Sequence, residues 1–198
     1  MNATATPALR VLVACEFSGA VRDAFRTLGH DATSCDLIAS ETPGKHIQDD
    51  VRNLDLSVYD LMVAHPPCTY LASSGARWWS NRVAEQLEAL EFVRWLLATP
   101  VLHVAVENPP GKIGTAIRPA DQYVQPWWFG HGETKMTGLW LKELPRLVPT
   151  WVVQGREART HREAPGADRW KRRSRTLPGI AGAMAAQWGG LVKLTVPA

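Results

Sequence analysis

The chain has 198 residues, of which 45% are hydrophobic and 21% are charged. A chain of this length supports one sizeable core but not two, and no apolar run reaches the roughly 18 residues that a membrane-spanning helix requires. The composition therefore excludes a helical membrane span. The length predicts a single domain, which we expect to comprise residues 1–198.

The N-terminal segment MNATATPALR lacks the basic and apolar stretches of a secretion signal, so we expect a cytoplasmic protein. The three cysteines show no CxxC spacing, and the six histidines form no HExxH or HxxxH pair. These patterns predict reduced thiols, no disulfide framework and no metal site.

The formal net charge of +3 is unevenly distributed along the chain. Residues 151–198 contain nine Lys/Arg and three Asp/Glu, whereas residues 1–150 contain thirteen and sixteen. The basic segment 159–175, RTHREAPGADRWKRRSR, is a candidate DNA-contacting element in which Arg173 and Arg175 would bind phosphate. A solvated loop is the alternative interpretation.

Short apolar, β-branched segments alternate with helical segments in the first half of the chain. Strands are predicted at 10–15 (RVLVAC), 32–37 (ATSCDL), 59–65 (YDLMVAH) and 101–106 (VLHVAV). The segment GAVRDAFRTLGH predicts a helix that ends near Gly29. A second helix is predicted between residues 81 and 99. Its expected buried face consists of Val83, Leu87, Leu90, Val93 and Leu97.

The second half begins with a loop rich in Pro and Gly at 117–132, after which TGLWLKEL returns to a strand pattern. A final helix is predicted at 178–188, because Ala and Met favour helices and Pro is tolerated in a first turn. Strands that alternate with helices predict an α/β fold, in which a mostly parallel sheet carries helices on both faces.

Four polar motifs follow predicted strands: EFSG, Asp36, HPPC and ENPPG. Because the carboxyl ends of parallel strands form one edge of a sheet, we expect these motifs to meet in one crevice. EFSG contains a single glycine and is therefore not a dinucleotide fingerprint. Asp36 suits the two hydroxyls of a ribose, although an acid at this place also caps turns.

Cys68 lies directly behind two prolines, which restrict the backbone of the loop and would orient the thiol. A helix predicted at 71–76 would shift this cysteine toward the thiolate through its dipole. A buried structural cysteine is the alternative. Glu107 ends a buried strand, where apolar surroundings would raise its pKa and make it a proton donor; an ion pair with an arginine is the competing explanation.

Taken in order, these motifs resemble those of the C5-cytosine DNA methyltransferases. EFSG is similar to the first cofactor motif of that family, HPPCTY to its Pro-Pro-Cys-Gln loop, and VENPPG to its Glu-Asn-Val motif. The resemblance extends over residues 10–145 and implies a Rossmann-like class I methyltransferase fold. Compact proteins of this pattern resemble phage or prophage enzymes, which implies the cytoplasm of a bacterium or of a phage-infected host.

The resemblance also implies roles for the matching residues. Cys68 would add to C6 of cytosine, Glu107 would protonate or hydrogen-bond N3, and Lys135 would contact the flipped nucleotide. Further substrate contacts are expected from Pro66, Thr69, Asn108 and Thr137. The residues expected to bind S-adenosylmethionine are Phe17, Ser18, Gly19, Asp36, Leu37, Asp50, Val51 and Pro67.

The chain departs from the family pattern at Thr69, which replaces Gln, and at Val21, which replaces the second glycine of the first motif. It also lacks room for a separate target-recognition domain. The resemblance therefore leaves three alternatives to DNA methylation. These are hydroxymethylation with methylenetetrahydrofolate, the same chemistry on a free nucleotide, and an inactive DNA-binding paralogue. No membrane or metal partner is expected, and the oligomeric state is not predicted.

Overall fold

The computed structural model describes residues 7–190. Residues 1–6 and 191–198 lie outside the described residues. The first range falls in the segment expected to lack a secretion signal, and both ranges belong to the expected single domain. Between residues 7 and 190, no helix is both long enough and apolar enough to cross a membrane.

Seven strands form one sheet in the described part of the chain. They are Arg10–Ala14 (β1), Asp31–Asp36 (β2), His46–Gln48 (β3), Leu61–Ala64 (β4), His103–Asn108 (β5), Gln122–Val124 (β6) and Thr137–Lys142 (β7). Their order is β3-β2-β1-β4-β5-β7-β6. β7 runs antiparallel to β5 and to β6, and the other neighbouring pairs are parallel.

Helices cover both faces of this sheet. The described helices are Ala20–Thr27 (α1), Val83–Ala98 (α2), Lys112–Ala116 (α3), Arg159–Arg162 (α4), Arg169–Ser174 (α5) and Pro178–Gly189 (α6). Of these, α1 and α6 pack on one face of the sheet and α2 and α3 on the other, whereas α4 and α5 add no buried residue to either core. Side chains alternate between the faces along β1, so that Val11 and Val13 join the core beneath α1 and α6, whereas Leu12 joins the core beneath α2. This strand order, with one antiparallel strand, is the Rossmann-like class I methyltransferase fold, which confirms the predicted fold.

The predicted buried face of α2 is partly wrong. Val83 and Leu87 are each 55% exposed, whereas Gln86 is buried together with Leu90 and Val93. The Nε2 of Gln86 donates a hydrogen bond to the Tyr70 carbonyl at 2.9 Å. The first turn of α2 therefore contacts the polar backbone of the loop after β4, and its apolar residues face away from the core.

Arg22 on α1 fixes the loop between β2 and β3. Its side chain is fully buried, and its guanidinium donates to the hydroxyls of Ser34, Ser40 and Thr42 at 2.7–3.1 Å and to the carboxylate of Asp23 at 2.7 Å. A buried cation is stable only when its donors are satisfied in this way. The loop that begins at Asp36, one of the predicted site residues, is consequently held against α1.

Candidate active site

The loops that follow β4 and β5 are joined by a set of hydrogen bonds that we call the loop clamp. Asn108 Nδ2 donates to the Pro66 carbonyl at 2.8 Å. The Ser73 amide donates to the Pro110 carbonyl at 2.9 Å, and the Lys112 amide donates to the Leu71 carbonyl at 2.8 Å. Since β4 and β5 are neighbours in the sheet, the clamp fixes the Cys68 loop relative to the end of β5.

A cleft of about 570 Å³, part of which is open to solvent, lies at the carboxyl ends of β1, β4 and β5. The predicted site residues that line it are Phe17, Ser18, Pro66, Pro67, Cys68, Glu107, Asn108, Lys135, Arg173 and Arg175. The nucleophile and the acid suggested by the sequence therefore share one cleft with both candidate cations of the basic segment.

Glu107 is paired with a histidine rather than surrounded by apolar groups alone. Its Oε2 lies 3.1 Å from Nδ1 of His65, and the side chains are 14% and 10% exposed. Burial by itself raises the pKa of Glu107, but His65, Lys135 and the Thr137 hydroxyl outweigh burial and hold that pKa below its ordinary value. The sequence-based expectation of a raised pKa is therefore wrong, because it omitted His65.

Cys68 is a half-buried thiol in this cleft. Burial raises its pKa and the Glu107 carboxylate raises it further, whereas Lys135 and Arg173 act in the opposite direction. The helix predicted at 71–76 is a 3₁₀ helix at Ser73–Asn81, which begins five residues after the cysteine. The expected shift toward the thiolate is therefore absent in the resting site, where the thiol is protonated at neutral pH.

The remaining predicted substrate contacts lie around the cleft. Lys135 precedes β7, and its Nζ donates to the Arg175 carbonyl at 3.0 Å. Thr137 is buried at the start of β7, beyond the residues that line the cleft. Thr69 is exposed and also lies outside the lining. The roles assigned to these three residues remain predictions.

At the cofactor side of the cleft, Glu16 occupies the N-terminus of α1. Its carboxylate accepts hydrogen bonds from the amides of Val21 at 2.7 Å and Arg22 at 3.2 Å. Gly19 has a φ of 75°, and a Cβ at this position would lie 2.2 Å from Oγ1 of Thr42. The turn therefore requires glycine, and its helix terminus is already neutralised by a carboxylate.

Two predicted cofactor residues lie at the end of β2. The Asp36 carboxylate is partly buried, and burial raises its pKa. It accepts a hydrogen bond from the amide of Ile38 at 3.2 Å. Leu37, the next residue, is 69% exposed. Asp36 and Leu37 both lie outside the residues that line the cleft, and their cofactor roles remain predictions.

Asp50 and Val51, the predicted adenine contacts, have other partners. The hydrogen bond from the Arg52 side chain lowers the pKa of Asp50, and the carboxylate also caps the 3₁₀ helix Val51–Asn53. Val51 is 4% exposed and belongs to the core beneath α2. A donor would contact Val51 chiefly through its backbone, and the predicted role of both residues stays untested.

The basic segment 159–175 contains two short helices, α4 and α5, and closes one side of the cleft. Arg175 forms two hydrogen bonds with Glu41, at 2.9 and 2.8 Å. The Trp170 ring lies against the Phe17 ring, with centroids 5.6 Å apart. Arg173 reaches the cleft wall from the end of α5. The segment therefore connects the cofactor side of the cleft with the surroundings of Cys68.

Two features were missed from the sequence. His65 received no role, since its partner Glu107 is 42 residues away in the chain. The 3₁₀ helix after Cys68 carries Arg77 above the ring of Trp78, at 5.0 Å from the centroid, and this tryptophan is 55% exposed. The RW dipeptide in GARWWSNR was the available signal, because paired cations and aromatic rings are typical of surfaces that bind nucleic acids.

Three buried polar atoms of the cleft lining have no hydrogen-bond partner in the described part of the chain. They are Nε2 of His65, Oδ1 of Asn108 and Nε of Arg173. Burying such groups unpaired costs about 1–3 kcal/mol each, so their concentration in one cleft indicates a ligand-binding site. No cluster of three or more potential metal ligands occurs within residues 7–190.

Comparisons with known proteins find likenesses among solved structures but none among family models or curated proteins. No protein-family model matches the sequence, and no curated protein matches it. Among solved structures, the chain is similar to a triple-substituted variant of DNMT2 from Spodoptera frugiperda. The identity is 13% and the TM-score 0.40, over 74% of this chain and 55% of that one. The chain thus spans about half the length of that protein. The strand order, rather than this likeness, establishes the fold.

We expect Gly111→Ala to open the loop clamp. A Cβ at this position would lie 1.9 Å from the Leu71 carbonyl oxygen, so the two loops would have to separate. The thermal midpoint of unfolding should fall by several degrees, and any ligand affinity of the cleft should fall with it. Gly114→Ala is the matched control, because its nearest neighbour is Oη of Tyr123 at 3.7 Å. Equal effects of the two variants would contradict the clamp.

The pH dependence of Cys68 alkylation provides a second test. Because burial and Glu107 raise the thiol pKa, the rate of iodoacetamide modification should rise at a higher pH than for free cysteine. Glu107→Gln removes a negative charge and should lower the midpoint, whereas Lys135→Met should raise it. The rates are measured at Cys68 by peptide mass spectrometry. A midpoint that stays constant in both variants would contradict this electrostatic description.

Proposed function

We propose that the protein transfers a one-carbon group to C5 of cytosine in DNA, through a covalent bond between Cys68 and C6, and that the group is a methyl from S-adenosylmethionine. One observation carries this proposal: Cys68 and Glu107 line the same cleft, on two loops joined by the loop clamp. A thiol and a carboxyl group on one rigid frame can act on the same aromatic ring.

The first chemical step requires the thiolate of Cys68. The thiol is protonated at rest, so its proton must leave as the substrate binds. The thiolate then forms a bond to C6, and the electron pair of the C5–C6 double bond moves toward N3. The nearby charges of Lys135 and Arg173 favour the thiolate, whereas Glu107 opposes it. Protonation of Glu107 would remove this opposition when the thiolate is needed.

Glu107 would act on the N3 edge of the same ring. In the resting site its lowered pKa keeps it ionised, and a carboxylate only accepts hydrogen bonds. It can therefore bind the exocyclic amino group at once. N3 gains negative charge as C6 is attacked, and Glu107 must carry a proton to stabilise that charge. The carboxyl group thus has to change protonation state during the reaction.

The proposed donor is a nucleoside without phosphates, which residues at the ends of β1 and β2 would bind. Asp36 would hold the ribose hydroxyls, and Leu37 and Phe17 offer apolar surface. Glu16 already fills the helix terminus that binds phosphate in dinucleotide folds. When bound, S-adenosylmethionine would supply an electrophilic methyl group to C5. A base would then remove the C5 proton, the C5–C6 double bond would form again, and the Cys68–C6 bond would break to release the thiolate. Trp170 covers Phe17, so α5 has to tolerate or adjust to the donor.

DNA would be contacted by a small surface. The candidates are the basic segment 159–175 and the exposed Arg77–Trp78 pair on the 3₁₀ helix after Cys68. Several cations of the segment are already paired, as in Arg159 with Glu133 and Arg172 with Glu163. Exposed pairs of this kind contribute little and can exchange for phosphate. A cytosine in a duplex would have to leave the base stack to reach Cys68.

Nucleoside mass spectrometry tests the reaction and separates it from the alternatives. The protein is incubated with DNA or with free cytosine nucleotides, and S-adenosylmethionine or methylenetetrahydrofolate is supplied in turn. We expect 5-methylcytosine in DNA with S-adenosylmethionine. Hydroxymethylcytosine, or product on free nucleotides only, would replace the proposal with the corresponding alternative. Cys68→Ala should abolish product, and Glu107→Gln should reduce the rate at least about 100-fold, the scale of general acid catalysis. Product formed by Cys68→Ala would exclude the covalent mechanism.

The DNA-binding role of the basic segment has its own test. Arg162→Gln combined with Lys171→Gln removes two cations of the segment outside the cleft lining. The double variant should bind duplex DNA more weakly, and the slope of log affinity against log salt should decrease by about 2, because each phosphate contact contributes about 0.9. Arg94→Gln on α2 is the control for loss of a surface cation. An unchanged slope in the double variant would mean that the segment is a solvated element.

A further inference from the structure

His65 places a largely buried imidazole against the candidate catalytic carboxylate. It directly follows β4, and its amide donates to the Ala14 carbonyl at 2.9 Å, which fixes its backbone between β1 and β5. Nδ1 lies 3.1 Å from Oε2 of Glu107. Since Glu107 is ionised and only accepts, Nδ1 carries a proton and donates it to the hydrogen bond.

The other ring nitrogen, Nε2, is buried and finds no partner among the described residues. A histidine retained only for packing would be replaced at lower cost by an apolar side chain, because an unpaired buried polar atom is unfavourable. The imidazole also lines the cleft that contains Cys68. Of its two ring nitrogens, Nδ1 is the one with a partner among the described residues, and that partner is Glu107.

We propose that His65 is a positioning residue for Glu107: its Nδ1 donates to Oε2, holds the carboxyl group in place beside Cys68 and stabilises its ionised form. This inference deepens the proposed function and rests on it for the role of Glu107 in turnover. The hydrogen bond itself is a property of the free protein. It can therefore be tested whether or not the transfer reaction occurs.

Other charged and titratable groups act on this pair from the surrounding elements. Lys135 ahead of β7 and the Thr137 hydroxyl on β7 favour the ionised carboxylate. Glu107 raises the pKa of the Cys68 thiol after β4, and His65 acts to lower the pKa of Asp36 at the end of β2. Arg173 reaches the same cleft from the end of α5. Because these groups stay in place in a His65 variant, the change in the protonation midpoint of Glu107 measures the contribution of His65 alone.

The sign of the effect follows from the two opposing contributions. Burial raises the pKa of Glu107, and His65 is the largest influence that lowers it. Without His65, burial is less fully opposed, and the carboxyl group takes up its proton at a higher pH. We expect the midpoint of Glu107 protonation to rise by about 1 pH unit or more in His65→Leu, a size typical of the loss of one hydrogen-bonded partner.

The first measurement follows the side-chain carboxyl carbon of Glu107 by NMR in protein labelled with carbon-13 glutamate. The signal is assigned by its absence in Glu107→Gln. His65→Asn and His65→Gln are a matched pair, because Asn places an amide donor near the position of Nδ1 and Gln places it near that of Nε2. The midpoint in His65→Asn should lie between those of the wild type and His65→Leu, whereas His65→Gln should resemble His65→Leu.

His103 supplies the control for loss of a buried imidazole. It lies at the opposite end of β5 from Glu107, is 6% exposed, and uses Nδ1 to contact the Glu143 carbonyl at 2.6 Å. His103→Asn should leave the Glu107 midpoint within about 0.2 pH units of the wild type, since the two groups share no contact. If His103→Asn shifted the Glu107 midpoint as much as His65→Leu does, the shift would reflect a general loss of packing, and the proposal would be overturned.

The second measurement is the pH profile of turnover. Part of the pH–rate curve should follow the protonation of Glu107. The midpoint of that part should move in the same direction, and by the same amount, as the NMR midpoint in each His65 variant. An unchanged NMR midpoint in folded His65→Leu and His65→Gln overturns the role of His65, whatever the activity. A shifted midpoint in a protein that transfers no group to any cytosine substrate supports His65 and overturns the proposed function instead.

Discussion

The hydrogen bonds between the loops after β4 and β5 are the constraint on which the candidate site depends. Two prolines in each loop remove backbone donors, so the neighbouring carbonyls need partners from elsewhere. The Asn108 side chain satisfies the Pro66 carbonyl, and the Ser73 amide satisfies that of Pro110. Each loop thereby completes the other. The geometry of Cys68 and Glu107 is fixed during folding, before any substrate is present, which is how enzymes reduce the entropy lost in the reaction.

The charged groups of the cleft act on the Cys68 thiol in opposite directions. Glu107 disfavours the Cys68 thiolate, while Lys135 and Arg173 favour it. Arg173 belongs to the end of α5, which is held by the Arg175–Glu41 pair and by the contact of Trp170 with Phe17. The charge near the thiol therefore depends on a segment that also covers the cofactor side. A displacement of α5 would therefore change the charge near the Cys68 thiol.

The sequence predicted the parts of this arrangement that follow from local pattern and from strand direction. Apolar runs ending in EFSG, Asp36, HPPC and ENPPG were enough to predict strands β1, β2, β4 and β5, whose carboxyl ends lie side by side. It predicted only part of the buried face of α2, because Gln86 is buried by a hydrogen bond to a loop rather than by apolar packing. The three-residue strands β3 and β6 were too short to give a periodic signal.

The larger error concerned the protonation of Glu107, and its cause is tertiary. A carboxyl group at the end of a buried strand has a raised pKa unless a hydrogen-bonding or charged partner is near. No local sequence pattern identifies His65 as that partner. Thr69, the visible departure from the family pattern, is exposed and lies outside the cleft lining, so it leaves the charge of the site unchanged. His65, three residues before Cys68, changes that charge directly. The ionisation of Glu107 in this cleft therefore depends on the residue in front of the two prolines, 42 positions away in the chain.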